Sequence, residues 1–383
     1  MLFSQLRLLL TMFMKQETYF SQLDGIRFIA VGLVLLDHWL AESNVYPLGT
    51  LGVTMFFVLS GFLITRILIQ SKLKDDSTGR SHWFSVKQFM IRRSIRIFPI
   101  YFLSIFVLYL LDVSPVRDTI LWCVTYTTNF YIAIKQQWMG TIDHLWSLAV
   151  EEQYYLIFPY LILFLPTKSY KRTLIIMIIL SVLLRTMLFF NGSPWMVQYV
   201  LMPTCLDSFG LGGLLAYFFT FQKESIFKEI TTSKYLISSF LILLIFLFLS
   251  RQYQITSNQV HHFGNLVIER LVGSVFCFFL IAKAVNGYDG FMKYFLENSL
   301  ISYFGRISYG LYLYHNFIFN YFHTPKTSVV LRGLRKFQQI APTVTQNSVF
   351  ELLYFFVITA IVATLSWYLI EKPVNNFKKY FTY

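Results

Sequence analysis

The chain has 383 residues, 56% of them apolar and only 13% charged, with a formal net charge of +13 and a mean hydropathy of +0.57. A soluble domain carries roughly 25% charged residues, so an ordinary water-soluble fold is excluded; 41 Phe and 25 Tyr would leave such a fold no polar shell. The basic excess sits in segments between apolar runs, which is the charge bias of a membrane protein rather than the footprint of nucleic-acid binding.

Residues 1–18 read as an N-terminal extension. Their apolar run contains Arg7, shows no small-residue cleavage site, and suits a surface-lying amphipathic segment. Apolar runs near the length of a crossing helix follow at 24–41, 50–70, 93–111, 147–165, 173–190, 199–220, 235–250, 263–282, 301–322 and 350–370. They are continuous rather than alternating, so helices are predicted and not barrel strands. The expected fold is all-α: one polytopic membrane domain over 19–375 with about ten transmembrane helices, followed by a tail at 376–383. The stretch 119–134 is shorter and carries Thr, Asn and Tyr, which suits a re-entrant or interfacial segment. With the N-terminus cytoplasmic, the inner segments hold 21 Lys and Arg and the outer segments 7. That excess predicts both termini on the cytoplasmic side. The longest connection, 323–349, is then external and reads equally as a cover or a tether. Cys123, Cys205 and Cys277 lie in apolar segments without metal-like spacing; they read as small hydrophobes, and no metal is expected.

Ionisable residues inside spans are functional candidates by default. The first span holds Arg27, Asp37 and His38. Eleven helical steps bring Arg27 and His38 to one face, ~16 Å apart along the axis, while Asp37 points ~100° from His38. This face offers an anion-binding guanidinium at one end and a titratable base at the other; the bland alternative is a snorkelling Arg27 and a helix-end His38. Arg92, Arg93 and Arg96 form a ridge by i,i+3 and i,i+4 spacing. At the expected inner start of the third span, its guanidinium forks and the helix N-terminus suit phosphate, although plain cytoplasmic anchoring explains the charges too. His144, Ser147 and Glu151 follow i, i+3, i+7 at the entry to the fourth span, with Glu152 beside them. Glu371 and Lys372, before Pro373, most simply mark the cytoplasmic exit of the last span.

Several motifs in order resemble acyltransferase family 3, the membrane O-acetylases of cell-surface glycans, from about Tyr19 to Pro373. They are Leu23-Asp24-Gly25-Ile26-Arg27 leading to His38, Gly52-Val53-Thr54-Met55-Phe56-Phe57-Val58-Leu59-Ser60-Gly61-Phe62, the arginine ridge running into Pro99-Ile100-Tyr101, Leu145-Trp146-Ser147-Leu148-Ala149-Val150-Glu151, Ile307-Ser308-Tyr309-Gly310-Leu311-Tyr312-Leu313-Tyr314-His315, and Ile370-Glu371-Lys372-Pro373. The resemblance implies a ten-span core, acetyl-CoA or a related donor entering from the cytoplasm, and an acceptor on the outer side. It also implies that Arg27 and His38 are essential and that Arg93 and Arg96 help hold the donor. Two positions depart from the family: Thr54 stands where Asp is frequent, and Cys205 stands two residues before Asp207 where Arg is frequent. The soluble esterase-like domain fused to some members is not expected here.

The function expected is transfer of an acyl group, most simply acetyl, to a hydroxyl of an extracytoplasmic glycan such as lipopolysaccharide O-antigen or exopolysaccharide. The setting is the inner membrane of a bacterium. The catalytic candidates are Arg27, His38, His144 and Glu151; the donor-binding candidates are Arg92, Arg93 and Arg96. His38 acts either as general base or as transient acyl acceptor, with Glu151 or His144 orienting it or the acceptor. The partners expected are acyl-CoA, a glycan or lipid-linked sugar, and membrane lipids. The rival from another class is a transporter or flippase of a lipid-linked sugar, against which no paired Gly/Pro-broken spans occur in matching halves. A second rival, the membrane-bound O-acyltransferase class with an Asn/His pair, fits the Arg27-to-His38 spacing poorly.

Overall fold

The structure, a computed structural model, describes residues 19–40, 46–323, 329–342 and 348–382. The extension at 1–18 and parts of the connection at 323–349 lie outside the described residues. Ten long helices succeed one another: α1 (Ser21–Trp39), α2 (Leu48–Thr78), α3 (His82–Leu110), α4 (Leu145–Phe164), α5 (Tyr170–Phe190), α6 (Leu206–Phe221), α7 (Ser233–Ser257), α8 (Glu269–Asn286), α9 (Ser308–His323) and α10 (Ser348–Ser366). No strand occurs among the described residues.

Among the described residues, seven helices are long and apolar enough to cross a membrane, and they contain α2, α3, α5, α6, α7, α8 and α10. Length and apolarity thus bear out seven of the ten predicted crossings and leave the count of about ten unconfirmed. The three that fall short are informative. α1 carries Asp24, Arg27, Asp37 and His38, α4 carries Glu151 and Glu152, and α9 carries His315 and Asn316. These helices turn their polar residues towards other helices: α1 packs on α2 and α9, and α4 on α2 and α3. A helix enclosed by protein keeps polar residues that would be costly against hydrocarbon.

α2 is the hub, packed against α1, α4, α6 and α8. Its contact with α6 is set by glycine. A Cβ on Gly212 would collide with the carbonyl of Val58, and one on Gly61 with that of Phe209. Such close backbone approach is how small residues pack membrane helices. α7 is peripheral, with Ile237, Leu241, Ile242, Ile245 and Leu249 exposed, as a lipid-facing surface should be.

The stretch 119–134 forms two short helices, Ile120–Val124 and Thr128–Lys135. They are broken at Tyr126, which has a φ of 53°. Eight residues of helix span about 12 Å, well short of a ~30 Å hydrocarbon core. The α2–α3 turn is stapled by Arg80, whose Nε donates to Asp75 Oδ1 at 2.6 Å. Lys72 Nζ donates to the carbonyls of Leu163 and Leu165 at 2.7 and 2.9 Å, satisfying acceptors that the C-terminus of α4 leaves open.

Two expectations at helix ends are corrected. α3 begins at His82, capped by the Ser81 side chain, not near the arginines. Its free N–H groups lie ~16 Å along the axis from Arg93, so they add nothing to anion binding at the ridge. Glu371 does not simply mark an exit. A π turn at Trp367–Glu371 carries it inward, where it is buried and accepts a hydrogen bond from Ser366 Oγ at 3.0 Å.

Candidate active site

A cavity of about 880 Å³ lies where α1, α2, α3, α4 and α9 converge, lined among others by Arg27, Ser60, Arg93, Arg96, Glu151 and Glu152. Arg27 is paired with Asp24 one turn earlier on α1. Arg93 lies over the ring of Tyr155, 5.3 Å from its centroid. Among the described residues no carboxylate stands within ion-pair distance of Arg93 or Arg96. Glu151 shares the cavity but accepts from Ser60 Oγ at 2.7 Å, and that hydroxyl also meets Tyr155 at 3.1 Å. Glu152 Oε1 is buried without a hydrogen-bond partner. Arg92 points elsewhere. Its Nη1 donates to the carbonyls of Lys378 and Phe381 at 2.9 and 2.8 Å, tying the C-terminal segment to α3.

At the far end of α1, His38 Nδ1 lies 2.7 Å from His315 Nε2 on α9. His315 Nδ1 is 2.5 Å from the carbonyl oxygen of Tyr312. A carbonyl only accepts, so His315 Nδ1 carries the proton and its Nε2 is the acceptor. His38 therefore donates through Nδ1, and its Nε2 lone pair is left available. No hydrogen bond reaches that nitrogen among the described residues. His144, at the cap of α4, donates through Nε2 to the carbonyl of Leu313 at 3.0 Å, and its ring sits 5.0 Å from that of His315. Its Nδ1 is buried without a partner.

The arginine cavity and the histidines are joined by Ser147 and Tyr312, both of which line the cavity. Their hydroxyls are hydrogen-bonded to each other at 2.5 Å, and both lie within reach of the carbonyl of His144, at 3.0 and 3.3 Å. Tyr312 also supplies the carbonyl that fixes His315. Asn316 holds the segment before α4 in register by donating to the carbonyls of Gly140 and Thr141 at 3.1 and 3.2 Å. In that segment, burial pushes the Asp143 carboxyl up to about 7, against the backbone N–H groups of Met139 and Gly140.

Of the residues singled out in the sequence, Arg27, Arg93, Arg96 and Glu151 come together in one cavity. His38 and His144 gather around His315 instead. His38 is hydrogen-bonded to His315 rather than to Glu151, which is bonded to Ser60. The place of His315 in the Ile307–His315 motif was visible, but the partner it serves lies 277 positions away. The two departures from the family pattern also find a setting. Asp207 pairs with Arg185 of α5 at 2.6 Å, both fully buried. Cys205 lies 3.0 Å from Arg270 Nη1, so α5 and α8 bring guanidinium groups to a position where a local Arg is frequent. Thr54 is buried near Gly273 of α8.

Comparison with known proteins shows the family. The family model described as "Acyltransferase domain" matches residues 20–371. The chain is 30% identical over 339 residues to a Staphylococcus aureus (strain COL) protein named "Putative O-acetyltransferase SACOL0978", covering 81% of this chain and 52% of that protein. It is 29% identical over 389 residues to "O-acetyltransferase OatA" of Staphylococcus aureus (strain NCTC 8325 / PS 47), covering 95% of this chain and 58% of the relative. The chain thus spans about half the length of the curated relatives it matches. No solved structure matches it. A family match over nearly the whole sequence, in agreement with the motif order, shows that the chain belongs to acyltransferase family 3.

Proposed function

We propose that the protein is a membrane O-acyltransferase that moves an acyl group, most simply acetyl, from a coenzyme A thioester to a hydroxyl of an extracytoplasmic glycan. The observation that carries this reading is the pair of guanidinium groups, Arg93 and Arg96, lining a cavity without carboxylate partners. Arg offers planar forks that suit phosphate oxygens, and coenzyme A is rich in them. Ser147 and Tyr312 lead from that cavity to His144 and His315, where His38 presents an unprotonated Nε2.

In this reading His38 Nε2 removes the proton from the acceptor hydroxyl as its oxygen attacks the thioester carbonyl. The carbon–sulfur bond breaks, and His38 returns the proton to the departing thiolate. His315 keeps the proton on His38 Nδ1 and accepts its hydrogen bond, which favours the imidazolium formed in between. General-base catalysis of this kind contributes ~10²–10⁴-fold. Arg27 stands at the cavity end of the same helix as His38. The 21-to-7 distribution of basic residues supports the setting proposed here, a bacterial cytoplasmic membrane with both termini inside.

The test is chemical. Surface glycans of cells with and without the gene are compared by mass spectrometry for base-labile acyl esters, and membranes from each are assayed for free coenzyme A released from acetyl-CoA. Loss of both signals together on deletion is expected. Unchanged esters and no acceptor-linked thiol release would remove the reading.

A further inference from the structure

A second cavity, of about 980 Å³, opens at the His38 end of α1, away from the arginines. Its charged groups are Asp37, Arg251 and Glu269, and Trp195, Tyr199 and His261 form an aromatic wall. The wall is ordered by its own contacts. Trp195 and His261 stack at 4.6 Å with an 18° interplanar angle, Trp195 and Tyr199 lie 6.0 Å apart, and the Tyr199 hydroxyl meets Thr50 Oγ1 at 3.0 Å. Asp37 precedes His38 in the chain. It occupies space that only a glycine leaves open, since a Cβ on Gly49 would lie 2.6 Å from Asp37 Oδ2. No hydrogen bond reaches the Glu269 carboxyl among the described residues.

We propose that this cavity binds the acceptor, and that the acceptor presents a pyranose ring of a glycan. The inference rests on the transferase reading above and adds where the second substrate sits. A pyranose has a rim of hydroxyls and faces of C–H bonds. Carboxylates accept from the rim, a guanidinium donates to it, and aromatic rings pack on the faces. The donor's phosphates are better served by the first cavity, which three guanidinium groups line against one here. His38 is linked to residues of both cavities. Through His315 it is linked to Tyr312, which lines the first, and it is flanked by Asp37, which lines the second. A sugar hydroxyl in the second cavity and a thioester reaching from the first would meet at its ring.

The test uses Trp195→Ala, Trp195→Phe and Glu269→Gln in the full chain. Acetate released by base from the surface polysaccharide of expressing cells reports acceptor use. Calorimetric titration of coenzyme A into the purified protein in nanodiscs reports the donor site and intact folding. Trp195→Ala and Glu269→Gln are expected to lower released acetate at least tenfold, Trp195→Phe to stay within threefold of wild type, and all three to bind coenzyme A within twofold of wild type. Normal acetate from both Trp195→Ala and Glu269→Gln overturns the proposal while leaving the transferase reading standing. So does loss of coenzyme A affinity in the isosteric Glu269→Gln variant. Wild-type protein that neither acetylates polysaccharide nor binds coenzyme A overturns the transferase reading itself, and this assignment with it.

Discussion

His38 on α1 and His315 on α9 meet through ring nitrogens 2.7 Å apart, and the Tyr312 carbonyl on the opposite side of His315 settles which of them donates. That one carbonyl gives the pair a direction. The proton is held on His38 Nδ1, and the basic nitrogen of His38 is the one left available.

In the proposed mechanism His315 is a positioning residue. Replacing it with alanine should lower kcat about 10- to 100-fold while the KM for the acyl donor stays within about twofold, because the arginines proposed to bind the donor are untouched. His315→Gln, whose side-chain carbonyl can accept from His38 Nδ1, should recover part of kcat. A general loss of fold would change both constants and would not be relieved by Gln.

Arg93→Ala combined with Arg96→Ala should weaken coenzyme A binding at least tenfold. The loss should be smaller for dephosphorylated fragments, which lack the anionic groups the guanidinium forks hold. Wild-type affinity should fall with added salt and the double variant's much less. Equal losses for intact and dephosphorylated ligands, with no salt dependence, would make these residues topology anchors.

Asp143 supplies a test through pH. Its carboxyl is raised from 3.8 to about 7 in the folded chain, chiefly by burial. Between those values the folded state binds more protons than the unfolded state, so stability falls as pH rises across that window and levels off above it. Asp143→Asn removes this penalty. Thermal unfolding in detergent should show the variant more stable than wild type at pH 8, by about 2 kcal/mol after allowing for partial solvent access. The difference should vanish near pH 4.

Much of this arrangement was legible in the sequence, and the limits have physical causes. Arg27 and His38 share a helix, and periodicity alone placed them at opposite ends of one face. Arg93 and Arg96 reach the cavity, yet their neighbour Arg92 turns to the carbonyls of Lys378 and Phe381, a contact made by a distant segment that spacing on one helix cannot register. His315 could be quoted as part of a motif, but its role comes from a contact between the first and ninth long helices. The ten predicted crossings exceed the seven long apolar helices because α1 and α4 trade apolarity for the polar residues of the site, and α9 is only 16 residues long. Continuous apolar runs do not distinguish a helix facing lipid from one enclosed by its neighbours.

Orientation is testable with single cysteines in an otherwise cysteine-free chain. Ser257→Cys should react with an impermeant reagent from outside, and Ser77→Cys and Ser225→Cys should not. Lys168→Cys decides the status of the short helices at Ile120–Val124 and Thr128–Lys135, because a crossing there would reverse every later segment. It should be shielded. External labelling of Lys168→Cys together with Ser257→Cys protection would invert the proposed orientation of α4 and everything after it.

The most direct measurement is thiol release from acetyl-CoA by purified protein in liposomes, with polysaccharide from expressing cells as acceptor, comparing wild type with His38→Ala. Base catalysis by His38 predicts acceptor-dependent release of coenzyme A by wild type, a fall of about 10²–10⁴-fold in His38→Ala, and unchanged coenzyme A affinity in the variant. Turnover near the wild-type rate in a folded, coenzyme A-binding His38→Ala protein, or no thiol release by wild type with acceptor present, would contradict it.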